Sequence, residues 1–159
     1  MLKGKTALVT GGSRGIGAAI AKRLAADGAK VAITYTKGAD AAATVIKAIE
    51  SAGGAAIAIQ ADATSPKAVQ AAIEKTVSAF GKLDVLVNNA AFQATHESIQ
   101  EISAEEWDHT FRTNIYAHFY LAKAALRHMK PGASIIGTSS VNAKTPSPSL
   151  LAYATTKGA

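Results

Sequence analysis

The chain has 159 residues, 48% of them hydrophobic and 18% charged, with 13 Gly, 4 Pro and no Cys. That apolar fraction is enough to bury a core and excludes disorder, and the lack of cysteine excludes disulfides and any thiolate metal or redox site. The formal charge of +6 is spread over scattered Lys and Arg, and only 6% of residues are aromatic. Nucleic acid is a poor fit, because no run of cations forms a tail and no aromatic platform interleaves with them. No apolar run is long enough to span a bilayer, and the first residues enter a strand without a signal-peptide core. The expectation is a soluble cytoplasmic protein, without membrane or nucleic-acid partners, that binds an anionic small ligand.

Periodicity predicts strands alternating with helices. Lys5–Thr10 reads as a short buried strand, followed by a helix over Ile16–Asp27 with Ile16, Ala19, Ile20 and Leu24 on one face. Gly28 lies just past its end. Lys30–Tyr35 is a second strand, Ala39–Ala52 a helix closed by Gly53-Gly54, and Ala55–Gln60 a third strand. Pro66–Phe80 is helical, with a proline suited to a first turn and Gly81 as its stop. Leu83–Val87 is the fourth strand. A long loop, Asn88–Ile102, leads to Ser103, an N-cap with Glu106 three residues on, and the helical pattern then runs to about Met129. Ala133–Thr138 is a fifth strand, Ser139–Ser149 a loop with two prolines, and a last helix begins near Leu150. Continuous apolar strands joined by helices imply parallel pairing with both sheet faces covered. The expected fold is α/β, an open doubly wound parallel sheet forming one domain over residues 1–159.

The first strand runs into Thr10-Gly11-Gly12-Ser13-Arg14-Gly15-Ile16-Gly17. Gly11 lets the chain turn off the strand, Gly15 lets backbone approach a ligand, and Gly17 lets the helix pack on the sheet. The helix N-terminus behind them favours a pyrophosphate. The spacing is G-x-x-x-G-x-G, without the Gly-Lys-Ser/Thr of a P-loop. The second strand ends Thr34-Tyr35-Thr36-Lys37, with no acid to hold a ribose 2′-hydroxyl. Arg14 and Lys37 suit a 2′-phosphate instead, so NADP is expected over NAD.

Farther along, Tyr153 and Lys157 are spaced i and i+4, and Ser140 stands thirteen residues before the tyrosine. Ser140 follows the fifth strand, so it shares a sheet edge with the glycine loop and with Asn88-Asn89-Ala90-Ala91. A phenol with pKa about 10 is a poor acid–base catalyst at neutral pH, and a neighbouring ammonium favours its ionised form. Ser140 has no His or acid in a triad pattern, so a hydrogen-bonding role is expected for it.

These motifs, in this order, resemble the short-chain dehydrogenase/reductase family over the whole chain. Thr10-Gly11-x-x-x-Gly15-x-Gly17 looks like its cofactor loop, Asn88-Asn89-Ala90 like its N-N-A-G sequence, and Ala91 departs from the usual Gly. Asp62 looks like its adenine-contacting aspartate. Asn114, Ser140, Tyr153 and Lys157 match its catalytic positions. The resemblance implies a Rossmann-type fold and an oxidoreductase moving hydride between NADP(H) and a carbonyl or alcohol substrate. It implies cofactor contacts from Gly11, Ser13, Arg14, Gly15, Ile16, Gly17, Tyr35, Thr36, Lys37, Asp62, Ala63, Asn89, Ala90, Ala91, Tyr153 and Lys157. Tyr153 would donate the proton, Ser140 would bind the substrate oxygen, Lys157 would hold the nicotinamide ribose, and Asn114 would hold a relay water.

Within the family the pattern most resembles β-ketoacyl-(acyl-carrier-protein) reductases, with sugar or other alcohol dehydrogenases, or a cofactor-binding fragment without turnover, as alternatives. A homo-oligomer, tetramer or dimer, is the implied assembly of the full-length form. Family members are longer, so the resemblance also implies that the C-terminal part of their fold is absent after the start of the catalytic helix. The fifth strand would then be an exposed edge, and the stretch alone would be weakly stable and little active. No metal site is expected, since His96, His109, His118 and His128 lack ligand spacing. Trp107, Phe111, Ile115 and Phe119 read as core or subunit interface. Glu101, Glu105 and Glu106 read as a helix-start cluster. Thr145–Leu151 reads as a wall of the substrate site.

Overall fold

The computed structural model describes residues 2–159. The strands are β1 (Thr6–Val9), β2 (Lys30–Tyr35), β3 (Ala55–Gln60), β4 (Val85–Asn88) and β5 (Ser134–Gly137). The helices are α1 (Gly15–Ala26), α2 (Ala39–Ser51), α3 (Pro66–Phe80), α4 (Ala104–Phe111), α5 (Ala117–Ala125) and α6 (Leu151–Gly158). All strand pairs are parallel, in the order β3-β2-β1-β4-β5. The chain therefore winds outward from β1 to β3 and then crosses back to β4. That reversal opens a crevice beyond the carboxyl ends of β1 and β4, where such sheets bind ligands.

Alternation along the strands divides the core into two layers. Ala7, Val9, Val31, Ile33 and Val87 face α1 and α2, where Ala18, Ala21, Ala42 and Val45 meet them. Leu8, Ala32 and Leu86 face α3 and α5, against Val69, Ile73, Ala117 and Leu121. Small side chains on the helices let them lie close to the sheet, while the strands supply the branched bulk. β5 pairs only with β4 and is one edge of the sheet, opposite β3, with Ile135 and Ile136 exposed.

Most elements fall where periodicity puts them; two differ, and two aromatic side chains lie elsewhere than expected. The fourth strand begins at Val85, not Leu83. Asp84 stands ahead of it as a bracket, its N–H donating to the Thr6 carbonyl at 2.9 Å and its carboxylate accepting the Thr6 N–H at 2.9 Å. The long helix after Ser103 is interrupted by a π turn over Arg112–Tyr116, in which the Ala117 N–H reaches back to the Arg112 carbonyl, and its regular part ends at Ala125. Finally, Trp107 and Phe119 lie at the surface, 38% and 61% exposed, which rules out a core role for them. Among the described residues no helix is long and apolar enough to cross a membrane.

Candidate active site and cofactor cleft

The glycine loop leaves β1 through Gly11, whose φ of +63° lies in the left-handed region that a side chain disfavours. Thr10 pins the loop to the next strand. Its buried hydroxyl donates to the Val87 carbonyl and accepts the N–H groups of Asn89 and Ala90 at 2.9 and 3.0 Å. Asn89 Nδ2 donates back to the Thr10 carbonyl at 3.0 Å. A Cβ on Gly17 would stand 2.3 Å from the Gly11 carbonyl oxygen and 2.6 Å from Asn89 Nδ2. Gly17 therefore makes room for the loop and Asn89, not for the sheet as expected. Gly12 does face the sheet, against Ile33 of β2.

The N-terminus of α1 has no side-chain cap and no acid in its first turn. The first backbone bond of this helix is Ala18 N–H to the Arg14 carbonyl at 3.2 Å. The N–H groups before it point into the crevice end of the sheet with the positive end of the helix dipole. The residues present fit an anionic dinucleotide: an open backbone surface at Gly15, where a Cβ would meet nothing within 4 Å, and an uncompensated helix end. Ser13, Arg14 and Gly15 line a groove of about 620 Å³ between α1 and α2. Arg14 and Lys37 are exposed and make no ion pair among the described residues. Tyr35, half-buried, ends β2, and Thr36 and Lys37 follow it into solvent, outside that groove. Asp62 is exposed, with one oxygen accepting the N–H and hydroxyl of Thr64, both at 2.9 Å, and Ala63 is half-buried beside it. Ala90 lies against Gly11, and Ala91 is exposed.

The second group gathers around α6. Tyr153 and Lys157 sit one turn apart, with Lys157 Nζ 5.5 Å from the centre of the tyrosine ring. The ammonium donates to the Thr138 carbonyl, just past β5, at 2.6 Å. Burial pushes the Lys157 pKa below its usual value. His118 of α5 is also lowered, by burial first and by the Lys157 charge second.

Asn114, in the π turn, is buried. Its Oδ1 accepts the Phe92 N–H at 2.8 Å, and its Nδ2 donates to the Phe92 carbonyl at 3.0 Å and to the Thr156 hydroxyl at 2.9 Å. Both amide hydrogens are thus spent, and the side chain joins the loop after β4 to α6. Ser140 opens a 3-10 turn over Val141–Ala143 that packs on α6.

Thr156, which accepts from the Asn114 amide, is a residue to which sequence reasoning assigned no role. The Ser103 cap forms, its hydroxyl accepting the Glu106 N–H at 3.1 Å. Glu106, however, turns its carboxylate to His96 Nε2 at 2.7 Å, and Glu101 belongs to a separate turn ahead of α4. The His96 N–H donates to the Ser149 carbonyl at 3.0 Å, tying the loop after β4 to the lead-in of α6.

The family model for short chain dehydrogenases matches residues 5–159. The chain belongs to that family. Over 168 aligned residues it is 44% identical to a chloroplastic NADPH-dependent aldehyde reductase of Arabidopsis thaliana, covering 99% of this chain and 57% of that one. A glucose and ribitol dehydrogenase of Daucus carota is also 44% identical, over 99% of this chain and 56% of its own length. A short chain dehydrogenase from Burkholderia cenocepacia, solved in complex with NADP, superposes with a TM-score of 0.95 at 48% identity, covering 99% of this chain and 64% of that one. The chain thus spans little more than half the length of these curated relatives. The family's α/β Rossmann fold, with five parallel strands and helices on both faces, is the architecture described above.

Proposed function

We propose that residues 1–159 form the dinucleotide-binding part of an NADP(H)-dependent oxidoreductase that interconverts a carbonyl and an alcohol on a small-molecule substrate. The observation that carries this reading is a shared location. An uncapped, acid-free α1 N-terminus and the Tyr153–Lys157 pair of α6 stand at the carboxyl end of the same parallel sheet. The names of the aldehyde reductase and the glucose and ribitol dehydrogenase support an aldehyde, sugar or polyol as substrate. Neither name points to a β-ketoacyl thioester, so the substrate class is drawn without it. The unpaired cations Arg14 and Lys37 support NADP over NAD, as does the NADP held by the Burkholderia relative.

A bound NADPH supplies the hydride. Tyr153 gives its phenolic proton to the oxygen of the reduced carbonyl, and the Lys157 ammonium stabilises the phenolate left behind. Burial weakens the hold of Lys157 on its own proton, which suits it to return one to the tyrosine. Ser140 directs its hydroxyl to the substrate oxygen. Asn114 keeps α6 in register with the loop after β4. A cytoplasmic location and a homo-oligomeric assembly belong to the same reading, the latter supported by the exposed Trp107, Tyr116 and Phe119 from α4 through the π turn into α5.

Two measurements test it. Fluorescence titration is expected to give a lower Kd for NADPH than for NADH, and equal values would remove the NADP assignment. Oxidation of NADPH by the whole enzyme of which these residues are a part is expected with a panel of aldehydes and aldoses. Tyr153→Phe abolishes that turnover while leaving NADPH affinity within about twofold. Turnover retained in this variant rejects the tyrosine as proton donor.

A further inference from the structure

Ser140 stands at the head of its turn with two donors aimed at its hydroxyl oxygen. The backbone N–H of Asn142 reaches Oγ at 3.2 Å, and the side-chain Nδ2 of the same residue lies 3.5 Å from it. The other end of that side chain faces the opposite way, its Oδ1 accepting the Ser147 N–H at 2.8 Å. A hydroxyl offers one proton and two lone pairs. Donors from Asn142 occupy the lone pairs, and among the described residues the Ser140 proton goes to no acceptor. The hydroxyl is therefore left with a proton to donate outward.

An asparagine serving the turn alone needs only its Oδ1 contact to Ser147. The Nδ2 contact is surplus to the turn and falls on the one hydroxyl expected to meet substrate. From Ser147 the connections continue outward. Its hydroxyl meets that of Ser149 at 3.1 Å, and the Ser149 carbonyl accepts the His96 N–H, whose ring is anchored on Glu106. Asn142 is thus the joint between Ser140 and a braced substrate wall.

We propose that Asn142 is a positioning residue that keeps Ser140 a hydrogen-bond donor toward the substrate oxygen, while its Oδ1 holds the wall over Thr145–Ser149. The proposal rests on the reading of Ser140 as the group that meets the carbonyl. Asn142→Asp separates the two functions, because it keeps an oxygen for the Ser147 N–H and replaces the amide donor with an acceptor that captures the Ser140 proton.

The expected result is a fall in kcat of about tenfold or more, with KM for the carbonyl substrate within about twofold. NADPH affinity and the thermal midpoint stay at the unsubstituted values. Added to Ser140→Ala, the Asn142→Asp change has no further effect, since Asn142 acts through that hydroxyl. Asn142→Ala, which loses both contacts, lowers kcat and raises KM, and it too adds nothing to the kcat loss in the Ser140→Ala background. An Asn142→Asp protein with unchanged kcat, or equal losses in the presence and absence of Ser140, overturns the proposal. All variants are made in the whole enzyme, and an unsubstituted whole enzyme that reduces no carbonyl overturns the functional reading, and this assignment with it.

Discussion

At the scale of single residues, one missing methyl group decides whether the glycine loop can close. The space at Gly17 is taken by the Gly11 carbonyl and by Asn89 Nδ2, and Asn89 is itself bound to the Thr10 carbonyl, so neither neighbour can yield cheaply. Gly17→Ala is expected to push α1 away from the loop. Its N–H groups would then turn from the phosphate position, weakening NADPH binding at least about tenfold and lowering the thermal midpoint. Titration and thermal unfolding measure both. Unchanged cofactor affinity would show that the loop tolerates the shift. The need for glycine here was legible in the spacing, but its full purpose was not, since one of the two neighbours that forbid a side chain, Asn89, follows β4 and lies 72 positions away in sequence. Thr10 was legible as the end of a strand and the start of the glycine loop but not as the hydroxyl that pins that loop, because a buried hydroxyl and an ordinary β-branched residue look alike in a sequence.

At the scale of elements, α6 is held at three points. Asn114 meets Thr156, Lys157 meets the Thr138 carbonyl, and the Ser149 carbonyl ahead of the helix meets the His96 N–H. Replacing Asn114 with Ala leaves the Phe92 N–H and carbonyl without their side-chain partner and removes the donor to the Thr156 hydroxyl, which keeps only its bond to the Tyr153 carbonyl. The expected cost is about 2–3 kcal/mol in denaturant unfolding, together with a loss of turnover as Tyr153 loses its register. A variant with native stability and native kcat would remove Asn114 from both roles. Periodicity located Asn114 on a helix yet could not announce the π turn that carries it. Arg112–Tyr116 has the composition of an ordinary helical turn, and the extra residue is stabilised by bonds to Phe92 and α6. Glu106 makes the same point: its spacing from Ser103 suggested a reciprocal cap, but His96 from another element competes for the carboxylate.

At the scale of the whole molecule, Asp84 makes stability depend on pH. Burial pushes its carboxyl up, but the Thr6 N–H and the Lys82 and Lys5 ammonium groups more than offset that and hold it below the usual carboxylate range. Its pKa is thus lower in the folded chain than in the unfolded one. The contribution is fully present above the ordinary aspartate value of about 3.9 and is lost as pH falls through the folded-state value. Both lysines are nearly half exposed, so most of the effect lies with the Thr6 N–H. Asp84→Asn is expected to cost about 1–2 kcal/mol at neutral pH, with the gap to the unsubstituted protein closing below about pH 4. Denaturant unfolding at the two pH values checks it, and a gap independent of pH would assign the loss to packing alone.

The sequence by itself determined the alternation of strands and helices, the parallel doubly wound sheet and the glycine-built turn that opens the first helix. Each of these follows from local chemistry: apolar runs, helical periodicity and glycines at fixed offsets from a strand. Only the tertiary structure decided which groups meet. Asn89 on Thr10, Asn114 on Phe92 and Thr156, Lys157 on the Thr138 carbonyl and Asn142 on Ser140 depend on where the backbone brings separate elements, or the two ends of a turn, within about 3 Å. A hydrogen bond is directional and short, so its partner is set by the packed position of both groups and not by the type of either residue.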